Sequence, residues 1–289
     1  DKISFFLNVK EEKENKKAKK PLLDYSKYFA IFSSIIFLAG VIFTATKGLA
    51  LGIDYQAGSD ISLVTEKKLS SKELTKDLKE LKLTKVEIER RDKEADLRVK
   101  DILKKDKVEE VKSYFENKYK ANVDIGVVSN VVKQELIKNA IFAILVSLVG
   151  IIIYISIRFH ISFGICSVLC LLHDVLLMTS FMAISRVEVD SMFIAAVLAI
   201  IGYSINNTIV VFDRIRENLN GKNISKLTDK EITDVANISM KQTALRSVYT
   251  SLTTIIPVIA LIILGSREVL SFNLAMTVGL IAGTYSSLF

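Results

Sequence analysis

The sequence predicts a polytopic α-helical membrane protein with six transmembrane helices and a small α+β, ferredoxin-like domain outside the bilayer. Three observations predict it. Half of the 289 residues are hydrophobic, with two prolines, no tryptophan and a mean hydropathy of +0.36, too apolar for a soluble domain of this size. The apolarity is uneven: residues 29–50 and most of 140–289 form apolar runs with short charged breaks, whereas 51–134 is dense in Lys, Glu and Asp. Basic residues gather in the stretches that should face the cytoplasm.

A helix crossing roughly 30 Å of hydrocarbon needs about 20 apolar residues. Six runs qualify: Phe29–Ala50, Ile137–Ile157, Ile161–Ile184, Ser191–Phe212, Ser247–Gly265 and Val269–Phe289. The apolar core of the first exceeds the ~7 to 15 residues of a secretory signal, so a retained anchor is expected. The segment 1–28 before it holds Lys10, Lys13, Lys16, Lys17, Lys19, Lys20 and Lys27, and the expected loop 213–246 holds Arg214, Arg216, Lys222, Lys226, Lys230, Lys241 and Arg246. Both belong in the cytoplasm by the positive-inside rule, which puts both termini inside and residues 51–136 outside. Long domains translocate largely regardless of charge, so the lysines of 51–136 do not oppose this.

Within the polar segment, ISLVTE at Ile61–Glu66 is β-prone, and SSKELTKDLKEL places Leu74, Leu78 and Leu81 at helical spacing behind the Ser70 cap. Val86–Arg90 and Ala95–Lys100 alternate apolar and polar residues around the turn RDKE. A second helix, Asp106–Tyr119, carries Val108, Val111 and Phe115 on one stripe with Asp106 in capping position, and Asn122–Val128 is the last strand. The order βαββαβ is that of the ferredoxin-like split unit. The segment has no His, Cys, glycine-rich phosphate loop or Ser/His/Asp set, so neither an enzyme nor a cofactor or metal site is expected. It suits a module that touches a partner or a passing chain, for example by strand addition.

The net charge of +7 is accounted for by the lysine-rich segment and the positive-inside loops rather than by a nucleic-acid surface, since no basic stretch interleaves with aromatics. Cys166 and Cys170 lie one turn apart inside the third span and read as small packing residues.

Ionisable residues inside spans are costly and mark function. His173 and Asp174 sit mid-span in the third run; Asn206 and Asn207 lie about two turns inside the cytoplasmic end of the fourth; Arg246 opens the fifth. Arg246, Thr250, Thr253 and Pro257 recur on one helical face, which must avoid lipid. A lone carboxylate at mid-bilayer must be protonated, paired or hydrated. With an imidazole, amides and a guanidinium at neighbouring depths, it forms the kind of group a proton path uses.

IGYSINNTIVVFDRIREN at Ile201–Asn218 resembles the motif of the SecF family, the smaller part of the SecD/SecF protein-export accessory complex in the RND superfamily. GIDYQAG with Gly52, Asp54 and Gly58 is similar to that family's GIDFxGG, YISIRF at Tyr154–Phe159 to its second-span exit, LLHDVLLMTSF at Leu171–Phe181 to its HDV segment, and RSVYTSLTT at Arg246–Thr254 to its RSxxTSxTT segment. Gly202, Tyr203, Ser204, Asp213 and Arg214 belong to the matched fourth-span motif. The likeness covers about Gly52 to Phe289 and is weak between Asp60 and Val128.

The resemblance implies a subunit that works with SecD beside the SecYEG channel, together with YajC, on a translocating polypeptide in the cytoplasmic membrane, driven by the proton-motive force rather than ATP. It implies proton-linked residues at a fourth-span carboxylate and at Arg246. The chain departs from it at Asn207, where the family has aspartate, and an amide cannot titrate near neutral pH. Three explanations stand: SecD carries the proton, which is the favoured one, with Asn207 hydrogen-bonding beside Arg246; Asp174 is the surviving carboxylate; or the subunit is structural. Ala57 replaces one family glycine, and the run ending at Phe289 lacks the family's polar tail, as in a trimmed chain. Two other functions compete, half of an RND-type lipid or small-molecule exporter and a scaffold for SecD and the channel.

Overall fold

The computed structural model describes residues 21–65, 69–84, 86–91, 93–222, 227–266 and 269–288. Expectations on Lys10 to Lys20, Lys226, the break at Arg267 and Phe289 lie outside the described residues. After a short 3-10 turn, Leu22–Tyr25, the chain forms α1 (Ser26–Lys47), a single-turn α2 (Ile53–Gln56), β1 (Gly58–Val64), α3 (Ser71–Glu80), β2 (Val86–Arg91), β3 (Glu94–Val99), α4 (Lys105–Tyr119) and β4 (Asn122–Val128). Five further helices follow: α5 (Asn130–Arg158), α6 (Ile161–Ser185), α7 (Ser191–Leu219), α8 (Asp229–Leu264) and α9 (Leu270–Ser286).

The four strands form one antiparallel sheet in the order β2-β3-β1-β4, with Ile61 opposite both Leu97 and Ile125. Alternation puts Ile61, Leu63, Leu97 and Val99 into a core closed by Leu74 and Leu78 of α3 and Val111 and Phe115 of α4. Two caps differ from expectation. Lys104, not Asp106, precedes α4, with Asp106 in its first turn, and Ser70 precedes α3 without a side-chain cap bond. Asp77 of α3 is buried because Tyr114 (3.2 Å), Tyr119 (2.5 Å) and Lys118 all donate to its carboxylate, pinning α4 to α3. This cluster is structural. Phe115 is fully enclosed, so Phe115→Ala should cost this α+β domain about 3 to 5 kcal/mol, read as a lower thermal midpoint and faster proteolysis within residues 58–128.

Leu22–Lys47 and helices α5 to α8 are each long and apolar enough to cross a membrane, so the chain is a polytopic helical membrane protein. Their outward faces carry side chains such as Ile35, Leu38, Phe142, Leu145 and Ile263. Helix α9, 17 residues long, packs against α6, α7 and α8, while α1 and α5 flank α6. The bundle core is built by Leu171, Met178, Met182, Ile200, Ala275 and Leu280.

The stretch 213–246, expected as a loop, is mostly helix. Helix α7 continues to Leu219 and α8 starts at Asp229, held by a capping box between Thr228 and Glu231. The extensions are zipped together by Arg214 and Asn218, which donate to Gln242 (2.6 and 3.0 Å), and by Asn218 donating to Ser239 (2.8 Å). Those polar residues hid a helical continuation that needs no apolar face toward lipid.

Candidate functional site

Asp174 is fully buried at the middle of α6. It is not a lone carboxylate. Oδ2 accepts hydrogen bonds from Ser204 Oγ of α7 (2.7 Å) and Ser286 Oγ of α9 (3.0 Å), and Oδ1 lies 3.1 Å from His173 Nδ1. His173 Nε2 in turn meets Ser33 Oγ of α1 at 2.9 Å, and Ser33 meets the Tyr285 hydroxyl at 2.8 Å. One carboxylate thereby ties four helices.

Gly283 of α9 makes room for this. A Cβ there would stand 3.0 Å from Ser204 Oγ and 3.3 Å from Asp174 Oδ2, so glycine lets the backbone pass closely over the pair without pressing on it. A cavity of about 430 Å³ opens between α1, α6 and α9, with Phe29, Phe37, Leu169 and Leu176 on its walls and His173 at its edge.

The chemistry follows from the donors and acceptors. With a neutral imidazole, Nδ1 donates to Asp174 and Nε2 accepts from Ser33; a second proton turns Nε2 into a donor, and Ser33 must then accept and pass its own hydrogen to Tyr285. The hydroxyls on both sides can reverse direction, so the network has two hydrogen-bonded arrangements that differ by one proton.

Asn207 lies three residues beyond Ser204 and is buried, yet its amide nitrogen has no hydrogen-bond partner among the described residues, nor has the Ser247 hydroxyl of α8. One turn away the seam is satisfied: Tyr203 donates to Ser251 (3.2 Å), which meets Thr284 at 2.5 Å. Arg246, the expected neighbour of Asn207, makes no hydrogen bond to it among the described residues. It is exposed on α8, as are Thr253 and Pro257, because the small residues Ser247 and Ser251 turn the adjoining face of α8 inward. Asn206 and Gly202 are likewise exposed on α7. The polar face anticipated as hidden from lipid is left uncovered by this chain's own described helices.

The remaining motif residues fall at the two ends of the bundle. Asp213 pairs with Arg158 (2.8 Å) and Arg216 (3.1 Å), and Arg214 with Glu217 (2.6 Å), toward the C-terminal end of α7. Gly52 and Asp54 bond to the α6–α7 connection, and Gly58, with φ 141°, opens β1. Ser33, Tyr285 and Ser286 were not singled out in the sequence, because a hydroxyl in an apolar run most often serves helix packing.

A polytopic helical bundle with a buried carboxylate bonded to a half-buried imidazole, and an α+β domain inserted after its first span, defines a class of multi-pass membrane proteins. The family of the C-terminal part of the protein-export membrane proteins SecD and SecF matches residues 106–289. The chain is 40% identical over 277 residues to the protein translocase subunit SecF of Sebaldella termitidis, covering 90% of this chain and 85% of that one. It is 39% identical over 266 residues to the protein translocase subunit SecDF of Bacillus subtilis, covering 91% of this chain and 36% of that one. The crystal structure of SecDF, a translocon-associated membrane protein from Thermus thermophilus, superposes with a TM-score of 0.81 at 31% identity over 94% of this chain and 37% of that one. The chain belongs to the SecD/SecF family of protein-export membrane proteins and is of the SecF type. It spans about a third of the length of the SecDF relatives and most of the length of the SecF one.

Proposed function

We propose that this chain is an accessory subunit of protein translocation that acts with SecD, beside the SecYEG channel and YajC, to promote polypeptide export across the cytoplasmic membrane at the expense of the proton-motive force. In this reading α9 is a sixth span, residues 51–136 are a ferredoxin-like extracytoplasmic domain, both termini are cytoplasmic, and 137–289 hold spans two to six.

The observation that carries the reading is the buried Asp174 carboxylate with its half-buried partner His173, set among four helices and bonded to hydroxyls that can reverse with one proton. The uncovered face of Gly202, Asn206, Arg246 and Thr253 supports the partnership, because amides and a guanidinium at membrane depth need a protein neighbour. SecD covers that face and supplies the main proton-carrying carboxylate opposite Asn207, while Asp174 is this subunit's own titratable group.

The test is export into membrane vesicles made without the chain and then supplied with it. Restoring the chain should raise export only while a proton-motive force is present, and SecD should co-isolate with it. Stimulation that survives a protonophore would reduce the chain to a scaffold, and absence of SecD would favour the exporter reading.

A further inference from the structure

The outer domain is strapped to one corner of the bundle. Residues 48–57, which lead from α1 into β1, run beside the 186–191 connection: Val189 N–H donates to Ala50 O (2.7 Å), Gly52 N–H donates to Val189 O (2.9 Å), and Arg186 donates to Gly48 O. Asp54 Oδ2 accepts the N–H of Ser191 at 3.0 Å. Ser191 is the first residue of α7, and the leading N–H groups of a helix have no partner within it. Asp190 takes a second such group, from Phe193 (2.8 Å), and also accepts from Ser271 in the first turn of α9 (2.7 Å). Arg98 of β3 pairs with Glu188 of the same connection. Asp54 stands four residues before β1, and Tyr55 beside it is buried in the bundle core.

The helix whose end Asp54 holds is the one that carries Ser204. Thirteen residues separate Ser191 from Ser204, so the Asp174 node lies about 20 Å along the same rigid helix. We propose that Asp54 is a positioning residue that makes α7 a rod between the Asp174 node and the outer domain, so that an axial shift or turn of α7 at Ser204 is delivered to β1. The inference rests on the reading that Asp174 titrates. The titratable and charged groups around the two ends are His173, Tyr285 and Cys170 at the node and Asp190, Tyr55, Glu188, Arg98 and Arg186 at the strap.

The test uses the full chain with SecD in liposomes, with Cys166 and Cys170 replaced by Ala and spin labels at Lys79→Cys and Ser185→Cys. The unaltered strap should give a narrow distance distribution that shifts between neutral and acidic pH. Asp54→Ala should broaden it and abolish the shift, and proton-driven export should fall about tenfold, the scale of one charge-assisted hydrogen bond. Asp54→Asn keeps an oxygen for the Ser191 N–H and should keep both properties.

Ser191→Pro removes the same N–H at a helix position where proline is tolerated and should reproduce Asp54→Ala even if that variant assembles poorly. A pH-driven shift that persists in Asp54→Ala or Ser191→Pro, or no shift in the unaltered strap, overturns the rod. A shift that is lost in those variants yet persists in Asp174→Asn leaves the rod standing and overturns Asp174 as the titrating group.

Discussion

Asp174→Asn is expected to leave the chain folded and paired with SecD while removing this subunit's contribution to proton-driven export, and Asp174→Ala to damage both. The asparagine oxygen can still accept from Ser204 and Ser286, but the side chain has no proton to exchange near neutral pH. Its amide must then donate toward His173 Nδ1, which forces the imidazole proton onto Nε2 and turns Ser33 from donor to acceptor. The chain has only two histidines, so nitrogen NMR on labelled histidine would show the change of tautomer directly. Alanine leaves the two serine hydroxyls and the imidazole without their shared acceptor. At about 1 to 3 kcal/mol for each orphaned buried donor, the loss is about 3 kcal/mol or more and should appear as a lower thermal midpoint in detergent. Unchanged proton-driven export in Asp174→Asn, with the tautomer switched, would confine the node to a structural role.

The contrast between Asp174 and Arg246 shows how far the sequence can be read. A carboxylate in the middle of an apolar run is rare enough to stand out, and its position near the centre of α6 follows from counting residues. Its partners are serines and a tyrosine from three other helices, and nothing in a single sequence tells a serine that packs from one that holds a carboxylate. Arg246 shows a different limit. Helical periodicity correctly put it on one face with Thr250, Thr253 and Pro257, but which face turns inward was decided by Ser247 and Ser251, whose small side chains admit α7 and α9.

The α+β domain is legible strand by strand because alternation and helical spacing act locally. The ladder that orders it β2-β3-β1-β4 and the strap at Asp54 come from pairings distant in sequence. The long polar extensions of α7 and α8 do not show in the sequence because a helix zipped by Arg214, Asn218 and Gln242 has the composition of a loop.

Gly40→Val tests whether the node needs α1. Among the described residues α1 packs on the bundle chiefly through α6, and the two helices come close at Gly40, where a Cβ would fall 2.4 Å from Ser180 Cβ and 2.6 Å from its Cα. Backbone cannot give way like the end of a flexible side chain, so a branched residue must push the two helices apart. Ser33 lies seven residues earlier on α1, about 10 Å along the axis, and its 2.9 Å contact with His173 has no slack to absorb such a displacement. Overpacking of this kind costs about 1 to 3 kcal/mol. The diagnostic effect is on the imidazole: His173 in Gly40→Val should give the nitrogen resonances of Ser33→Ala, with Nε2 released and Nδ1 still bound to Asp174. If His173 keeps its original resonances while the thermal midpoint falls, α1 is an anchor packed beside the node, and the hydrogen-bonded circuit ends at α6, α7 and α9.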